Sequence, residues 1–424
     1  MTRQSRPAGL AVEGGIPVRS EFLVFGAPAI EEPEIAEVVD TLRSGWLGTG
    51  PKVRRFEEDF KAYTGARHAV ALNSCTAGLE LALDVAGVGP GHEVITTPLT
   101  FAATANVIIH RGARPVFVDV DRKTMNIDIA RIEEAVSQRT RAIIPVDMAG
   151  RPCAIAEIME IARRRNLIVI QDAAHAVEAR YRGLRVGSVA SMTVFSFYVT
   201  KNVCTGEGGM VTTDNDDWAD QMRIKSLHGI SRDAWKRYSS DGYQPYETLY
   251  PGYKFNMMDI QAALGIHQLA RVERNLEVRE RLWRKYDGAF AELDEILTPS
   301  TALPPGSRHA RHLYTILLDL ERLSISRNRF IELMKAENIG TGVHFTALHL
   351  HRFYRETFGF KAGDFPNAEW IGDRTVSLPL SAKLSDDDVA SVVEAVHKIC
   401  LASRGTALRQ YEVDVRQSPS GDGA

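Results

Sequence analysis

MTVFSFYVTKNVCTGEGGMVTT (192–213) contains two short apolar runs on either side of a glycine-rich turn. Similar runs, rich in β-branched residues and separated by amphipathic stretches, recur upstream: HAVAL (68–72), EVITT (93–97), RPVFVDV (114–120), RAIIPVD (141–147) and LIVIQD (167–172). The runs are apolar throughout instead of alternating with polar residues, which is typical of strands that helices cover on both faces. The first half of the chain is therefore predicted to be α/β, with helical crossovers over both faces of a sheet.

The second half of the chain has a different pattern. Residues 259–293 form one long stretch of helical periodicity, and TPSTALPPGSRHA (298–310) follows as a Pro- and Gly-containing connector. The elements predicted after the connector indicate a smaller α+β domain: strand HLYTILLDL (312–320), helix SRNRFIELMKAEN (326–338), strand GTGVHF (340–345) and helix DDDVASVVEAVHKIC (386–400). We expect four regions: an N-terminal extension (1–24), a large domain (25–265), a linking helix with the small domain (266–405) and a disordered polar tail (406–424).

Length, charge and cysteine usage limit the possible functions. The 424 residues are enough for two or three domains, and 51 Lys and Arg against 54 Asp and Glu give a net charge of −3, which supplies no field to hold nucleic acid. The N-terminus lacks the apolar core of a signal peptide, and Pro98 and Asn106 interrupt the longest uncharged stretch, so no membrane span is expected. Four scattered cysteines without a C-x-x-C pair fit a reducing cytoplasm.

The first candidate site is NSCTAG (73–78), between a predicted strand and a predicted helix. Small residues here leave several backbone N–H groups free at the positive end of a helix, where a phosphate group binds well. A plain helix N-cap explains the same residues without any ligand, because Ser and Thr are common at caps. Both interpretations stay open at this point.

The second candidate site is Asp172, which ends an apolar strand, with His175 three residues later. Ligands of such sheets bind outside the carboxyl ends of the strands. A carboxylate buried there needs a cationic or protonated partner, because an unpaired buried charge is expensive. The alternative is an Asp that caps the next helix.

The third candidate site is Lys201, which follows the strand MTVFSF and precedes GEGG (206–209). Desolvation can lower the pKa of a lysine in such a position and make it a Schiff-base nucleophile. A lone lysine is more often a solvated surface group. A phosphate site, a carboxylate and a lysine at one edge of a sheet are, however, the three anchors that pyridoxal phosphate requires.

With these residues in place, the sequence resembles the sugar-nucleotide aminotransferases of the DegT/StrS type, within the fold type I pyridoxal phosphate enzymes. The resemblance runs from about Phe25 to Leu401. Its main stretches are SGWLGTGPKV (44–53), LNSCTAGLELAL (72–83), TTPLTFAATANVI (96–108), IQDAAHAVEARYRG (170–183), FSFYVTKNVCTGEGGMV (195–211), PGYKFNMMDIQAALG (251–265) and IGTGVHFTALHLHRFY (339–354). It implies a three-layer α/β/α domain with a mainly parallel seven-stranded sheet, followed by a smaller C-terminal α+β domain.

The resemblance also implies roles for individual positions. Lys201 forms the Schiff base and shuttles the proton, and Asp172 pairs with the pyridine nitrogen of the coenzyme. The other implied contacts are to the phosphate (Thr76, Ala77, Ser196 and, from the neighbouring subunit, Asn256), to the coenzyme ring and its phenolic oxygen (Phe101, His175) and to the nucleotide sugar (Trp46, Tyr198, His344). The residues alone leave Phe101 equally open as a core side chain. The enzyme is expected to be a homodimer without a metal.

The activity implied by the resemblance is transfer of the amino group of L-glutamate to C4 of a nucleotide-linked 4-keto sugar, by a ping-pong mechanism that releases 2-oxoglutarate. Tyr198 is more similar to relatives that aminate C3, whereas GEGG (206–209) resembles the C4 group. Lys201 argues against a sugar dehydratase, in which His replaces this lysine. A non-catalytic sensor or assembly protein with the same fold is the alternative of another class.

Overall fold

The computed structural model describes residues 9–231 and 247–405. The expected tail (406–424), the first eight residues of the expected N-terminal extension and residues 232–246 lie outside the described residues. Within the described residues, none of the helices combines the length and apolar character needed to cross a membrane.

A seven-stranded sheet forms the centre of the first part of the chain. The first nine strands are β1 His68–Leu72, β2 Glu93–Thr96, β3 Arg114–Phe117, β4 Thr140–Ile143, β5 Ile168–Asp172, β6 Arg180–Tyr181, β7 Leu184–Arg185, β8 Met192–Ser196 and β9 Gly209–Thr213. Strands β6 and β7 form a separate hairpin, and the sheet has the order β1-β9-β8-β5-β4-β2-β3. Only β9 runs antiparallel to its neighbours, which confirms the mainly parallel sheet.

Helices cover both faces of this sheet. They are α1 Glu32–Ser44, α2 Pro51–Thr64, α3 Cys75–Val85, α4 Ala102–His110, α5 Ile129–Ala135, α6 Ile155–Arg165 and α7 Asp216–Lys225. On β8, Val194 packs in a core with Leu79 of α3, whereas Phe195 packs in a core with Phe56 and Phe60 of α2. Because successive strand residues face opposite sides, these separate cores confirm the three-layer α/β/α arrangement.

The remaining elements surround a second, three-stranded antiparallel sheet. Its strands are β10 Ile296–Leu297, β11 Tyr314–Leu318 and β12 Thr375–Leu378. The helices of this part are α9 Val272–Phe290, α10 Arg327–Ala336, α11 Arg352–Phe358, α12 Pro366–Gly372 and α13 Asp386–Ser403. The helix before them, α8 Asp259–Ala270, packs instead in the core of Phe56 and Phe60 beside the first sheet. A core formed by side chains such as Trp283, Tyr286 and Tyr314 joins α9 to this sheet. The exact limits of the two domains stay a prediction.

Two sequence-based predictions are wrong in detail. The stretch 259–293 is two helices, because the backbone of Arg271 is not helical and its guanidinium is held by the buried Glu34 and by the carbonyl of Ala29. The segment GTGVHF (340–345) is not a strand, and only Gly342 forms a bridge, to Ser377. A Cβ at Gly342 would lie 3.0 Å from the ring of Phe25, so close packing holds this segment instead of a strand ladder.

Candidate active site

The carboxyl ends of three strands bring the predicted anchors together. Asp172 ends β5, Lys201 lies in the turn after β8, and β1 leads into the N-terminus of α3. Cys75 at that N-terminus and Asp172 are the two groups whose charges act on Lys201. The three segments therefore meet at one edge of the sheet, where open α/β sheets bind ligands.

Asp172 is a buried carboxylate, and its two hydrogen bonds offset only part of the cost of burying its charge. Its Oδ2 accepts a hydrogen bond from the hydroxyl of Thr104 at 2.8 Å, and its Oδ1 accepts one from the backbone N–H of Ala174 at 3.2 Å. Burial raises the pKa of Asp172, while these hydrogen bonds and the charge of Lys201 act in the opposite direction. A protonated ring nitrogen would stabilise this carboxylate further.

Lys201 has the properties of an amine nucleophile. A turn holds its backbone, since its N–H donates to the carbonyl of Tyr198 at 2.8 Å. Burial lowers the pKa of Lys201 from 10.5 to about 8, against the opposing effects of Cys75 and Asp172. About one Lys201 side chain in ten is therefore uncharged at pH 7, far more than for an ordinary lysine, as a Schiff-base lysine requires.

The N-terminus of α3 is the segment that the sequence predicts to bind the phosphate. Ser74 is the N-cap, and its Oγ accepts a hydrogen bond from the N–H of Ala77 at 3.1 Å. The N-cap interpretation therefore accounts for the N–H of Ala77. The exposed Thr76 keeps its hydroxyl at the helix end, where first-turn N–H groups lack partners inside the helix. Across the site, Ser196 ends β8. A Cβ at Gly209 would lie 2.5 Å from the backbone of Ser74, so only glycine permits this approach.

Three histidines lie beside these anchors. The ring of His175 is 4.5 Å from that of His312 and 6.2 Å from that of His344, between ring centroids. Nδ1 of His175 accepts from the N–H of Ala149 at 3.3 Å, and Nδ1 of His344 lies 2.8 Å from the hydroxyl of Ser377. Burial holds the pKa of His175 and of His312 well below the usual value and lowers that of His344 to about 4.

The other predicted site residues lie around this centre. Phe101 is the N-cap of α4 and is 64% exposed, so the interpretation of Phe101 as a core residue is wrong. Tyr198 is exposed next to the Lys201 turn. Trp46 and Asn256 form a separate group: Nε1 of Trp46 donates to the carbonyl of Thr49 at 3.1 Å, and Nδ2 of Asn256 donates to the hydroxyl of Thr49 at 2.7 Å.

Sequence reasoning missed several residues of the site. Thr104 lies in α4 and supports Asp172 from outside the quoted strand ends. His312 opens the predicted strand HLYTILLDL (312–320), but the strand begins only at Tyr314, and a strand pattern assigns no role to the His before it. Asn202 and Glu178, which contact each other at 2.8 Å, fall inside quoted stretches but had no assigned role. The position of Asn202 directly after the lysine is the only signal that could have pointed to it.

A family model described as the DegT/DnrJ/EryC1/StrS aminotransferase family matches residues 28–397. The chain belongs to this family. The spore coat polysaccharide biosynthesis protein SpsC of Bacillus subtilis is 50% identical over 382 residues, which cover 90% of this chain and 98% of SpsC. Among solved structures, the PMP form of the sugar aminotransferase Spr1654 of Streptococcus pneumoniae matches with a TM-score of 0.84 and 35% sequence identity. The matched region covers 90% of this chain and 99% of the Spr1654 chain.

The structure of DesI, solved in the presence of its TDP-sugar product, has a TM-score of 0.81 and 31% identity, with 96% of this chain and 98% of DesI covered. The protein is thus a sugar aminotransferase of the DegT/DnrJ/EryC1/StrS family with the fold type I architecture. Its coenzyme is pyridoxal phosphate, as the sequence predicted, and Spr1654 is also known in a PLP form.

The burial, the pKa shifts and the helix geometry of the site residues suit the coenzyme independently of the family match. Asp172 is a buried carboxylate whose charged form a nearby cation stabilises, and Lys201 is an amine with a lowered pKa. The helix end at Thr76 and the glycine contact at Gly209 leave a site for the phosphate. We assign these residues, with His175 and Ser196, to the holding of the coenzyme as a proposal.

Proposed function

We propose that this aminotransferase moves the amino group of L-glutamate to C4 of a 4-keto-6-deoxy sugar linked to a nucleoside diphosphate, dTDP or UDP. The observation that carries the catalytic part is the meeting of Lys201, whose pKa is about 8, with the buried Asp172 at one edge of the sheet. The product of DesI, a TDP-sugar, supports the nucleotide-linked substrate. SpsC, a polysaccharide biosynthesis protein, supports a role in making amino sugars for surface polysaccharides, and antibiotic deoxysugars are the other destination.

The chain's own groups account for the proton transfers. Bound at this site, pyridoxal phosphate supplies a carbonyl for amine exchange and a ring that accepts the electron pair of a broken C–H bond. Nζ of Lys201 takes the proton from Cα of glutamate, and in the second half-reaction it gives a proton to C4 of the sugar. Asp172 holds the ring nitrogen protonated, because its buried charge is stabilised by a cation. Release of 2-oxoglutarate before the sugar binds makes the mechanism ping-pong.

The substrate side of the site is formed by exposed and neutral groups. His344 is uncharged at neutral pH, since burial lowers its pKa to about 4, and it can bind sugar hydroxyl groups without attracting the diphosphate. Tyr198, which is 45% exposed beside the lysine turn, supports the second candidate, amination at C3 of a 3-keto sugar. The segment GEGG (206–209) supports C4.

A homodimer completes the proposal. Oδ1 of Asn256 is buried without a hydrogen-bond partner within the described residues, so the amide has an unused acceptor. Around it, Trp46, Leu47 and Met258 are exposed apolar side chains, which a second subunit would cover. We propose that Asn256 contributes to the neighbouring phosphate site across this surface through a hydrogen of its NH₂ group, because the amide oxygen and the phosphate both accept, while Oδ1 receives a donor of the second subunit. A cytoplasmic location is consistent with the four cysteines, all of which are free thiols.

Absorbance spectra of the purified protein test the proposal. Pyridoxal phosphate is added first, then L-glutamate, and then dTDP- and UDP-linked 4-keto and 3-keto sugars one at a time. We expect glutamate to convert the coenzyme to its amine form and one 4-keto sugar to reverse the change. Reversal by a 3-keto sugar alone would replace C4 by C3, and a protein that binds the coenzyme but never reacts with glutamate would be a non-catalytic member of the fold.

The matched variants are Lys201→Ala and Lys361→Ala. Lys361 is an exposed lysine of the second part of the chain. The Lys201 variant should lose turnover but retain coenzyme through its phosphate and ring contacts, whereas the Lys361 variant should behave as the wild type. Normal turnover by the Lys201 variant would refute the assignment of the lysine.

A further inference from the structure

The residue that follows the catalytic lysine has a fixed amide. Nδ2 of Asn202 donates to Oε2 of Glu178 at 2.8 Å and to the carbonyl of Ala310 at 3.1 Å. Both partners accept hydrogen bonds, so the NH₂ group must lie on their side and the amide oxygen on the other. That oxygen, Oδ1, lies 2.9 Å from Nδ1 of His312.

A buried ion pair fixes the position of Glu178, the residue that accepts a hydrogen bond from this amide. The guanidinium of Arg279 pairs with Glu178, and both side chains are almost fully buried, 3% and 0% exposed. Nε of Arg279 also donates to the carbonyl of Arg311 at 3.1 Å. The pair therefore ties α9 to the segment around His312 and fixes the acceptor that Asn202 uses. A buried pair of this kind sets geometry even where its net contribution to stability is small.

The position of the Asn202 oxygen determines the tautomer of His312. An amide oxygen can only accept, so Nδ1 of His312 carries the hydrogen and donates it. The ring is neutral, because burial holds its pKa well below the usual value; the charges of Lys201, His344, Arg279 and His309 act in the same direction. A neutral ring with hydrogen on Nδ1 has an unprotonated Nε2.

His175 has the opposite tautomer. Its Nδ1 accepts from the N–H of Ala149, so a neutral ring must carry its hydrogen on Nε2. The charged groups that act on His175 are Lys201, His312 and His344, and each of them disfavours protonation of the ring, as burial also does. The rings of His175 and His312 lie 4.5 Å apart at an angle of 35°. Two neutral rings of fixed and opposite tautomer therefore lie against each other beside the lysine.

We infer that His312 is a positioning residue of the amino transfer: it holds the ring of His175 in the orientation in which the N–H of Ala149 sets its tautomer, and it connects that ring through Asn202 to the turn that carries Lys201. This inference rests on the proposed function for its catalytic consequence. The consequence is that the Nε2–H of His175 stays directed as a hydrogen-bond donor while the lysine changes charge. A ring free to turn would present an acceptor or a second cation in its place.

Histidine tautomers of the coenzyme-free protein test the arrangement directly. Two-bond ¹H–¹⁵N spectra of protein labelled at its histidines distinguish Nδ1–H, Nε2–H and protonated rings. The variants His312→Asn or His312→Gln assign the His312 signals, and His175→Asn assigns those of His175. We expect His312 as the Nδ1–H form and His175 as the Nε2–H form, both neutral from pH 6 to pH 8. An Nε2–H or protonated His312 in the wild-type protein would overturn the inference.

The variant pair His312→Asn and His309→Asn tests the consequence. Asn at 312 keeps an NH₂ donor for Asn202 but removes the ring beside His175, whereas His309 is a buried histidine whose ring packs on Trp283, with ring centroids 5.2 Å apart. In the 312 variant, the ring of His175 can turn away from the N–H of Ala149, so it should show mixed tautomers or protonation at pH 6, and kcat should fall about 10²-fold with little change in the KM for glutamate. The 309 variant should show neither effect.

Unchanged His175 signals in a folded His312→Asn protein would also overturn the inference. A different result would count against the proposed function alone: the expected tautomers in a wild-type protein that does not take an amino group from glutamate.

Discussion

The lowered pKa of Lys201 predicts how the coenzyme-free protein takes up pyridoxal phosphate as the pH changes. With a pKa of about 8 instead of 10.5, about one lysine in ten is uncharged at pH 7, roughly 300 times the fraction of an ordinary lysine. Only the uncharged amine attacks the coenzyme carbonyl. The uptake rate should therefore rise about tenfold per pH unit below pH 8 and become nearly constant above it.

Stopped-flow absorbance measures this rate between pH 6 and pH 10. Nα-acetyl-lysine under the same conditions is the reference, because titration of the coenzyme itself affects both reactions equally. The reference rate should continue to rise to about pH 10.5, the usual lysine value. A protein profile parallel to that of acetyl-lysine would refute the claim that burial lowers the pKa of Lys201.

Asp172→Asn refines the same experiment. The carboxylate of Asp172 favours the charged form of the lysine, so its removal should move the inflection of the uptake rate below the wild-type value near pH 8. The variant should also release the coenzyme faster, because the ring nitrogen loses its anionic partner. An inflection that moves upward would contradict the electrostatic argument even if the coenzyme were lost as expected.

Three further substitutions test the packing around the site. Gly209→Ala places a Cβ 2.5 Å from the backbone of Ser74 and should weaken coenzyme binding at least about tenfold, measured by fluorescence titration. Gly288→Ala, in an exposed part of α9 with open space around it, should leave binding unchanged and raise the free energy of unfolding by about 1 kcal/mol in urea. Glu178→Gln leaves the buried charge of Arg279 without its anion and should lower that free energy by about 3 kcal/mol.

The sheet was predictable because its strands are buried on both faces. Runs such as HAVAL (68–72) and LIVIQD (167–172) consist mainly of apolar residues, and each of them forms a strand in the structure. Elements that depend on contacts distant in sequence were not predictable. The break at Arg271 depends on Glu34, more than 200 positions away, and the non-strand course of GTGVHF (340–345) depends on packing against Phe25.

The same distinction applies to the site. Asp172 and Lys201 could be identified because they follow apolar strands, and the geometry of a parallel sheet brings strand ends together. Thr104 and His312 could not be identified, because one lies inside a helix and the other follows an irregular connector. Each acts through one specific hydrogen bond, to Asp172 or Asn202, and no local pattern of residue types encodes such a bond.

Burial keeps the histidines of the site neutral, and the charges around them act in the same direction. Lys201 is the cation that acts on Asp172 in the coenzyme-free protein. Under the proposed function, Lys201 would join the coenzyme and lose that role, and a protonated ring nitrogen would take its place, so Asp172 would face one positive charge in either state. A protonated His175 or His312 would add a second cation, which would favour loss of the proton from Lys201 but oppose the protonated ring. Burial prevents this, so that under the proposed function the lysine and the coenzyme would be the groups that exchange charge during the reaction.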